Sequence, residues 1–380
     1  MDVFKFVSPE IIFGPGTLSE SGISATQLGA KRIFVATDKG LRDSGWLNLV
    51  LQYLNQNGLD YVVWEDVSPN PKDYEIARGA NLYLQNRCDS LLAVGGGSPI
   101  DAAKAVALLV SNGGDISDYE DVDSISRPLP PMIAIPSTAG SGSEVSQFSI
   151  IVNASEKRKM TIVSKSLIPY ISIHDPILLE TLNTQSMIYS GVQVLSHAIE
   201  AYVSKGATAI TDLYALNAIK LATEGLRLLK GGSRNSQVHR CLAMANLNAG
   251  LAFSNAILGA VHAITHQISG WFGLPTGKVT AILLPQVVEF NVPANPVKYA
   301  RVAESLGGKN STADSGANSV TKALGNLLSE LELPSRLSQL GVDLNLYPVL
   351  AQNIMLDICL VTNPRELHMR DVIEILRRVS

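Results

Sequence analysis

The sequence predicts an N-terminal α/β domain built on a parallel sheet, followed by a C-terminal domain made entirely of helices. Short β-rich runs alternate with amphipathic stretches as far as Pro176, an order typical of βαβ units. Beyond Pro176 the extended runs disappear and long helical periodicities continue to the end. A chain of 380 residues also exceeds what one hydrophobic core usually spans, so two domains are expected.

Apolar, β-branched runs in the first half are the expected strands of the sheet. They are KRIFVAT (31–37), DYVVWEDV (60–67), SLLAVGG (90–96), PMIAIPS (131–137) and YISIHD (170–175). Amphipathic segments such as LRDSGWLNLVLQYLNQNG separate these runs and are the expected crossover helices. The opening FKFVSPEIIFGPGT is expected to form a small hairpin outside this winding.

The second half has the pattern of long helices separated by glycine and proline. The expected helices are 185–204, 208–229, 236–256, 259–272, 316–331 and 369–379. The change of pattern divides the chain into an α/β domain of residues 1–180 and a helical domain of residues 181–380.

Composition and charge exclude several classes of partner. Hydrophobic residues make up 46% and charged residues 17%, as in ordinary globular proteins. A net charge of -4 provides no basic surface, so neither nucleic acid nor a membrane is an expected partner. Cys88, Cys241 and Cys359 lie far apart and form no disulfide or metal motif, which favours a reducing compartment. Because the opening residues also lack a long apolar core, we expect a cytoplasmic protein.

Three glycines follow the third expected strand, in AVGGGSPIDAAKAVALL. Gly95, Gly96, Gly97 and Ser98 lead directly into a helix. Glycines let the backbone approach a phosphate group closely, and the free N–H groups at the start of a helix point at it. The spacing fits neither the GxGxxG nor the P-loop pattern. We predict a phosphate-binding turn. The alternative is a plain glycine-rich turn, with Asp101 favouring the start of the helix by its charge.

Two other segments have features of a nucleotide site. The loop IPSTAGSGSEVS (135–146) carries small hydroxyl residues after another strand, at the edge where parallel sheets bind ligands. Asp38, in VATDKG, ends the first strand. A carboxylate there accepts hydrogen bonds from the ribose of NAD and repels the additional phosphate of NADP. The alternative is that Asp38 caps the following helix.

Two pairs of polar residues in the helical half have helical spacing. Gln193 and His197 are four positions apart in SGVQVLSHAIEAY, and His262 and His266 are four apart in GAVHAITHQISG. Four residues of a helix advance ~6 Å and keep both side chains on one face. Pairs on facing helices would converge on one pocket. Core histidines bonded to backbone carbonyls are the alternative.

Together these segments resemble the iron-dependent (group III) alcohol dehydrogenase family. The similar segments are IIFGPGTL, VATDKGL, GGGSPIDAAKA, PSTAGSGSEV, HAIEAYVS, VHAITHQISG, AILLPQVVEFN and NPRELHMRDVIEILR, which span nearly the whole chain. The resemblance implies a Rossmann-like dinucleotide-binding domain and an all-helical metal and substrate domain, in the architecture of dehydroquinate synthase. It also implies NAD as cofactor, a small alcohol or aldehyde as substrate, and a homodimer.

The resemblance also assigns roles to individual residues. Asp38 matches the acceptor of the adenosine ribose, and Lys159 matches the lysine that reaches the cofactor's phosphate or nicotinamide ribose. His266 matches a histidine near the nicotinamide ring and is a candidate proton carrier, because imidazole titrates near neutrality. The phosphate turn and the start of its helix correspond to Gly95, Gly96, Gly97, Ser98 and Asp101, and the hydroxyl-bearing loop to Ser137, Thr138 and Ser143.

The expected metal site departs from the family pattern. The family holds its divalent ion with an aspartate and three histidines, of which this chain retains His197 and His262. Gln193 stands at the aspartate position and Thr276 at the position of the last histidine. An amide and a hydroxyl are poor replacements on iron or zinc, and losing even a supporting residue costs ~10–100-fold in affinity. We therefore predict weak or no metal binding.

The predicted function is hydride transfer between NAD and a primary alcohol or aldehyde. Without a tightly held ion, the charge on the substrate oxygen must be stabilised by hydrogen bonds from His262, His266, Thr276 or a bound water. A polyhydroxylated substrate such as a sugar acid is expected because it supplies its own anchoring groups. The family branch that oxidises 3-deoxy-octulosonate acts on such a substrate. The alternatives are a non-catalytic NAD-binding protein and a lyase related to dehydroquinate synthase.

Overall fold

The computed structural model describes residues 4–120, 122–308 and 316–380. It divides into two compact units, one of residues 7–182 and one of residues from Asn183 onward. The first unit is α/β and the second is helical, which confirms the predicted fold class. Residues 4–6 group with the helical unit, where the ring of Phe6 stacks on Tyr214 with centroids 5.7 Å apart.

The six-stranded sheet of the α/β unit is parallel throughout. The strands are β1 (Glu10–Phe13), β2 (Arg32–Ala36), β3 (Asp60–Trp64), β4 (Ser90–Gly95), β5 (Met132–Pro136), β6 (Phe148–Asn153), β7 (Arg158–Val163) and β8 (Ile171–His174). A six-stranded sheet has the order β1-β8-β5-β4-β2-β3, and β6 and β7 form a separate antiparallel pair. The carboxyl ends of β2, β4 and β5 therefore lie side by side, which is the edge where such sheets bind ligands.

The prediction of an N-terminal hairpin is wrong. β1 pairs in parallel with β8, with Glu10 opposite Ile171 and Phe13 opposite His174, so it extends the sheet at its edge. After β1 the chain does not return, because Gly14 and Gly16 have positive φ and lead it into a helical turn. A four-residue strand followed by a glycine-rich turn has the same sequence pattern whether it pairs with the next strand or with a distant one.

Helices cover both faces of the sheet. They are α1 (Glu20–Gln27), α2 (Lys39–Asp43), α3 (Trp46–Gln56), α4 (Asp73–Gln85) and α5 (Gly97–Asn112). β4 shows the resulting alternation. Leu91 and Ala93 join the core cluster under α4 and α5, whereas Leu92 and Val94 join the cluster under α1 and α3. A strand buried on both faces reads as a continuous apolar run, which is why β4 was predictable.

The second unit contains long helices. Those of the described residues are α6 (Thr184–Val203), α7 (Ala209–Lys230), α8 (Ser236–Ala256), α9 (Ala260–Phe272), α10 (Thr276–Asn291), α11 (Pro296–Ser305), α12 (Gly316–Glu330), α13 (Tyr347–Ile354) and α14 (Met369–Arg378). The sequence patterns did not predict α10, α11 or α13. Pro285 lies inside α10, where proline normally breaks a helix. The helix continues because Leu283, Leu284 and Val287 are buried around it.

Within the described residues no single helix is long and apolar enough to cross a membrane. By length and composition alone, α8 and α9 pass that test as a pair, bent by 104° at the break between them.

Phe34 provides a test of the core of the α/β unit. Its side chain is fully buried, with its ring centroid 5.7 Å from that of Trp64 and 5.8 Å from that of Tyr83. Truncating a buried phenylalanine costs ~3–5 kcal/mol, and we expect Phe34→Ala to lower the free energy of unfolding by about that amount. Phe4→Ala is the matched control, because Phe4 is half exposed. Urea unfolding measures both changes, and equal losses would show that Phe34 has no special place in the core.

Candidate functional site

The glycine turn joins β4 directly to α5. β4 ends at Gly95 and α5 begins at Gly97, and Gly96 occupies the N-cap position. A glycine has no side chain to accept hydrogen bonds from the first N–H groups of the helix, and none is capped in this way here. The start of α5 therefore presents open N–H groups and the positive end of the helix dipole, which suits a phosphate.

Close packing explains why glycines occupy this turn. A Cβ on Gly95 would lie 2.8 Å from Cγ of Pro99 and 3.2 Å from Oδ2 of Asp38, and Gly95 has φ of +150°. A Cβ on Gly97 would lie 2.8 Å from Cβ of Ser141. The structure thus brings together the turn, the end of β2 and the loop after β5, which the sequence placed only by analogy.

Asp38 has the capping role that the sequence left open as the alternative. Its Oδ1 accepts a hydrogen bond from the N–H of Leu41 at 2.9 Å, which caps α2. Its Oδ2 faces Gly95. One oxygen is thus committed to the helix and the other lies beside the glycine turn, so capping does not exclude the predicted contact with a ribose.

The hydroxyl-bearing loop is attached to the turn by its backbone. The N–H of Ser137 donates to the carbonyl of Gly95 at 2.8 Å, and the methyl group of Thr138 is 3.4 Å from where a Cβ on Gly96 would stand. Ser137 is buried and Thr138 is half-buried. The start of the hydroxyl-bearing loop therefore packs directly against the glycine turn.

Two further serines, Ser143 and Ser98, form hydrogen bonds beside the turn. The N–H of Ser143, which is buried, donates to Oγ of Ser141 at 3.3 Å. Oγ of Ser98 accepts from the N–H of Asn70 at 3.3 Å. Ser141 belongs to the predicted hydroxyl-bearing loop but was not singled out within it, and Asn70 lies outside every predicted motif.

Lys159 is a buried cation whose charge interacts with that of Asp101 on α5. Asp101 lies in the second turn of α5, not at its start, and burial raises the pKa of its carboxyl to about 6 although Lys104 and Ser143 lower it. Burial lowers the pKa of Lys159 to about 8, and Asp101 opposes that shift. Asp101 is thus placed to balance the charge of Lys159. The first turn of α5 contains no acidic residue, so Asp101 lies one turn beyond the N–H groups that open the helix.

Lys104 is a buried cation that sequence analysis missed. Burial lowers its pKa to about 8, and its Nζ donates to the carbonyls of Ser146 at 2.7 Å and Phe148 at 2.9 Å. These bonds fasten the end of the hydroxyl-bearing loop and β6 to α5. A lysine inside an amphipathic helix reads as a surface residue, so no pattern pointed to this role.

In the helical unit, the histidines of the two spaced pairs form one buried cluster. The imidazole centroids of His197 and His262 are 4.4 Å apart with planes at 13°, and those of His262 and His266 are 6.0 Å apart at 65°. All three side chains are buried. α6 and α9 therefore bring these predicted residues together.

Glu200 is a site residue that the sequence did not predict. It lies on α6, three positions after His197, and is buried. Its Oε2 is 2.5 Å from Nδ1 of His262, and its Oε1 accepts from the N–H of Val261 at 2.6 Å. With Nδ1 engaged, Nε2 of His262 is buried and has no hydrogen-bond partner among the described residues. The HAIE spacing could have indicated a carboxylate on the same face as His197.

His266 is held in the same way by a residue from a distant part of the chain. Its Nδ1 is 3.0 Å from Oδ2 of Asp357, whose Oδ1 accepts from the N–H of Cys359 at 3.0 Å. Burial raises the pKa of Asp357, but the charge and hydrogen bond of His266 outweigh it, so the pKa is lowered. Neither Asp357 nor Cys359 was predicted, because nothing in the sequence links them to the histidines.

His266, Asp357 and Cys359 also form a group of possible metal ligands. One ligand-type atom from each lies within 4.8 Å of the others, and all three residues are buried. Burial, together with Asp357 and Glu200, raises the pKa of the Cys359 thiol well above its usual range. The thiol therefore keeps its proton unless a cation displaces it.

The four positions of the family's metal site do not suit a tightly held ion. Gln193 lies half-buried on α6 one turn before His197, and Thr276, also half-buried, begins α10. α10 starts against α6, since a Cβ on Gly277 would lie 2.6 Å from the carbonyl oxygen of Tyr189. Two imidazoles, an amide and a hydroxyl are therefore the donors at these positions. Iron and zinc bind such neutral oxygen donors poorly.

Comparison with known proteins gives matches along the whole chain. The model of the iron-containing alcohol dehydrogenases matches residues 8–176, and that of the C-terminal part of the Fe-containing alcohol dehydrogenase family matches residues 187–380. The 1,3-propanediol dehydrogenase of Citrobacter freundii is 36% identical, covering 99% of this chain and 98% of that protein. The NAD-dependent methanol dehydrogenase of Bacillus methanolicus is 35% identical, covering 98% of each. A crystal structure of 1,3-propanediol oxidoreductase has a TM-score of 0.95 at 35% identity, covering 100% of both chains.

Proposed function

The chain belongs to the iron-containing alcohol dehydrogenase family, and on that basis we propose that it transfers a hydride between NAD and a primary alcohol or the corresponding aldehyde. The observation that carries the proposal is the open N-terminus of α5 beside Asp38 and the hydroxyl-bearing loop. This arrangement offers N–H groups to a pyrophosphate and a carboxylate to a ribose. The buried imidazoles of the helical unit provide groups that move a proton.

The cofactor is proposed to be NAD rather than NADP. One oxygen of Asp38 faces the glycine turn, and a carboxylate there repels a phosphate on the ribose. The relative from Bacillus methanolicus is named as NAD-dependent, which supports the same choice.

The substrate is proposed to be polyhydroxylated or acidic, such as a sugar acid. The donors at the family's metal positions do not suit iron or zinc, so no step of the reaction is assigned to an ion. A substrate that forms several hydrogen bonds of its own is positioned without one. The relatives described above are named for small alcohols, so simple diols are the natural comparison in an assay.

The test is nicotinamide reduction with a panel that contains 1,3-propanediol, simple primary alcohols and sugar acids. We expect turnover with NAD and the highest kcat/KM for a substrate with several hydroxyl groups. NAD binding without turnover on any substrate, with or without added iron or zinc, would instead establish a non-catalytic NAD-binding protein. Failure to bind NAD at all would refute both.

Asp38→Asn is the sharpest test of the cofactor assignment. Asparagine keeps an oxygen that caps α2 but removes the charge. We expect the preference for NAD over NADP, measured as the ratio of kcat/KM values, to fall by about tenfold, which corresponds to about 1.4 kcal/mol. The melting temperature serves as the control, because a retained cap leaves it nearly unchanged. An unaltered preference would remove Asp38 from the ribose site.

A further inference from the structure

We propose that two carboxylate-held imidazoles, Glu200–His262 and Asp357–His266, bind the reacting oxygen of the substrate in place of a metal ion. The inference rests on the proposed hydride transfer and adds the groups that act on the oxygen. In this arrangement His262 and His266 are catalytic residues, whereas Glu200 and Asp357 are positioning residues that act through them.

The first pair fixes a helix and an imidazole with one carboxylate. Oε1 of Glu200 accepts from the N–H of Val261, and Oε2 engages Nδ1 of His262. Asn363 supports the same end of α9, because its Oδ1 accepts from the N–H of Ala260 at 3.1 Å. These contacts fix both the first turn of α9 and the rotation of the His262 ring. Nε2 of His262 is thereby left buried with no partner in the described part of the chain, a position suited to a substrate oxygen.

Gly259 makes this approach possible. A Cβ there would lie 2.9 Å from Oε1 of Glu200 and 2.8 Å from Oδ1 of Asn363. Both acceptors therefore reach the start of α9 only because the N-cap position has no side chain.

The second pair, Asp357 and His266, has the same arrangement as the first, one turn further along α9. His266 lies on the same face of α9 as His262, and Asp357 engages its Nδ1. Both oxygens of Asp357 are occupied, one by His266 and one by the N–H of Cys359. An imidazole held at Nδ1 by a carboxylate has a defined tautomer and presents Nε2 to its substrate.

In the proposed step the alcohol loses a hydride to NAD and a proton to His266. The substrate C–H bond breaks and its electron pair passes with the hydrogen to the nicotinamide of NAD. The O–H bond breaks and its proton passes to Nε2 of His266, so the alcohol is oxidised to an aldehyde and NAD is reduced. In this step His262 carries a proton on each ring nitrogen, so its Nδ1–H donates to Glu200 and its Nε2–H donates to the same substrate oxygen. The carboxylate of Asp357 stabilises the imidazolium that forms on His266.

Metal analysis separates this proposal from its rival, a divalent ion bound by His266, Asp357 and Cys359. Protein purified without chelators or added metal is analysed for iron and zinc, then assayed after EDTA treatment. We expect well under one ion per chain and unchanged turnover. One retained ion per chain together with loss of turnover in EDTA would overturn the proposal while leaving the hydride transfer standing.

Cobalt(II) locates such an ion directly. Thiolate coordination to cobalt gives a charge-transfer band, and we expect no such band when Co²⁺ is added to the protein. A band that appears with wild type and disappears in Cys359→Ser but not in Cys88→Ser would place a metal at the rival site and refute the proposal. Cys88 is the matched control because it is also buried, in the other unit.

Asp357→Asn and Glu200→Gln test the two positioning residues independently. An amide in place of the carboxylate disturbs the tautomer and removes the charge, so we expect kcat to fall ~10²-fold or more in each variant. The dissociation constant for NAD and the melting temperature are expected to change little. Asp357→Glu, which keeps the charge, is expected to retain more kcat than Asp357→Asn. Glu289→Gln is the control, as an exposed carboxylate in the same unit.

The outcomes separate structural from catalytic roles. Equal loss of kcat, NAD affinity and melting temperature in both amide variants would assign the carboxylates to folding alone and overturn the proposal. Wild-type kcat in either variant would remove that pair from the mechanism. If the wild type binds NAD but converts no alcohol in the panel, the proposed function itself fails, which is a distinct result.

Discussion

Replacing Gln193 by aspartate together with Thr276 by histidine is expected to give a tight site for a divalent metal. The double variant would combine a carboxylate and three imidazoles, because His197 and His262 already lie together on α6 and α9. A single supporting residue contributes ~10–100-fold to metal affinity, so two restored ligands should contribute at least ~10²–10⁴-fold. Titration with Zn²⁺ against a competing chelator measures this gain.

The control is the double variant Gln193→Asn with Thr276→Ser, which keeps a neutral amide and a hydroxyl at the same positions. We expect no gain in affinity there, and an intermediate gain for each restoring change alone. The tight binding should disappear when His262→Ala is added to the restored site. A restored variant that binds zinc no better than wild type would show that these four positions do not converge.

Gly97→Ala is expected to weaken NAD binding by about 5- to 150-fold. The new Cβ would lie 2.8 Å from Cβ and 2.9 Å from Oγ of Ser141, so the hydroxyl-bearing loop must move away from the turn. Crowding of this kind costs ~1–3 kcal/mol, which is the origin of the expected range. The open N–H groups of α5 and this loop are both proposed to contact the cofactor. The free-energy cost of the crowding therefore lowers the affinity for NAD. Fluorescence titration with NAD is the measurement.

Two further variants make this prediction specific. Ser141→Gly in the Gly97→Ala background removes the clashing atoms and should restore most of the affinity. Gly325→Ala is the matched control, because no atom lies within 4 Å of the Cβ it would add in α12. Normal NAD binding by Gly97→Ala would mean that the turn and the loop do not form the cofactor site.

The fold was predictable where burial imposes a pattern along one segment. β4 is buried at every position and apolar after Ser90, and α8 has an uninterrupted helical period, so each was found near its observed bounds. β1 was misassigned because its partner, β8, is far away in the sequence. α10 was missed because Pro285 argues locally against a helix, whereas its buried neighbours argue for one only in the folded unit. The family resemblance, which rested on motifs spread over the chain, is confirmed.

The candidate sites also contain parts that one segment of sequence predicts and parts that depend on residues far apart in the chain. The glycine turn is a continuous segment, so a phosphate-binding role could be predicted from its residues alone. The carboxylates that hold the histidines could not, since Glu200 is 62 positions from His262 and Asp357 is 91 positions from His266. Aspartate and glutamate are common, and only the folded backbone brings Glu200 and Asp357 to these imidazoles. Gln193 was noticed through its helical spacing from His197, whereas Thr276 was noticed only because the family pattern gives that position an expected identity.

The double engagement of Glu200 has a consequence for how this sequence can change in evolution. The carboxylate of Glu200 caps the first turn of α9 and orients an imidazole, so a substitution that removes both of its oxygens disturbs the start of the helix and the chemistry in a single step. A descendant can lose or exchange that carboxylate only if the start of α9 and position 262 change with it. Positions 200, 261 and 262 are therefore expected to change together, even though they lie on two helices.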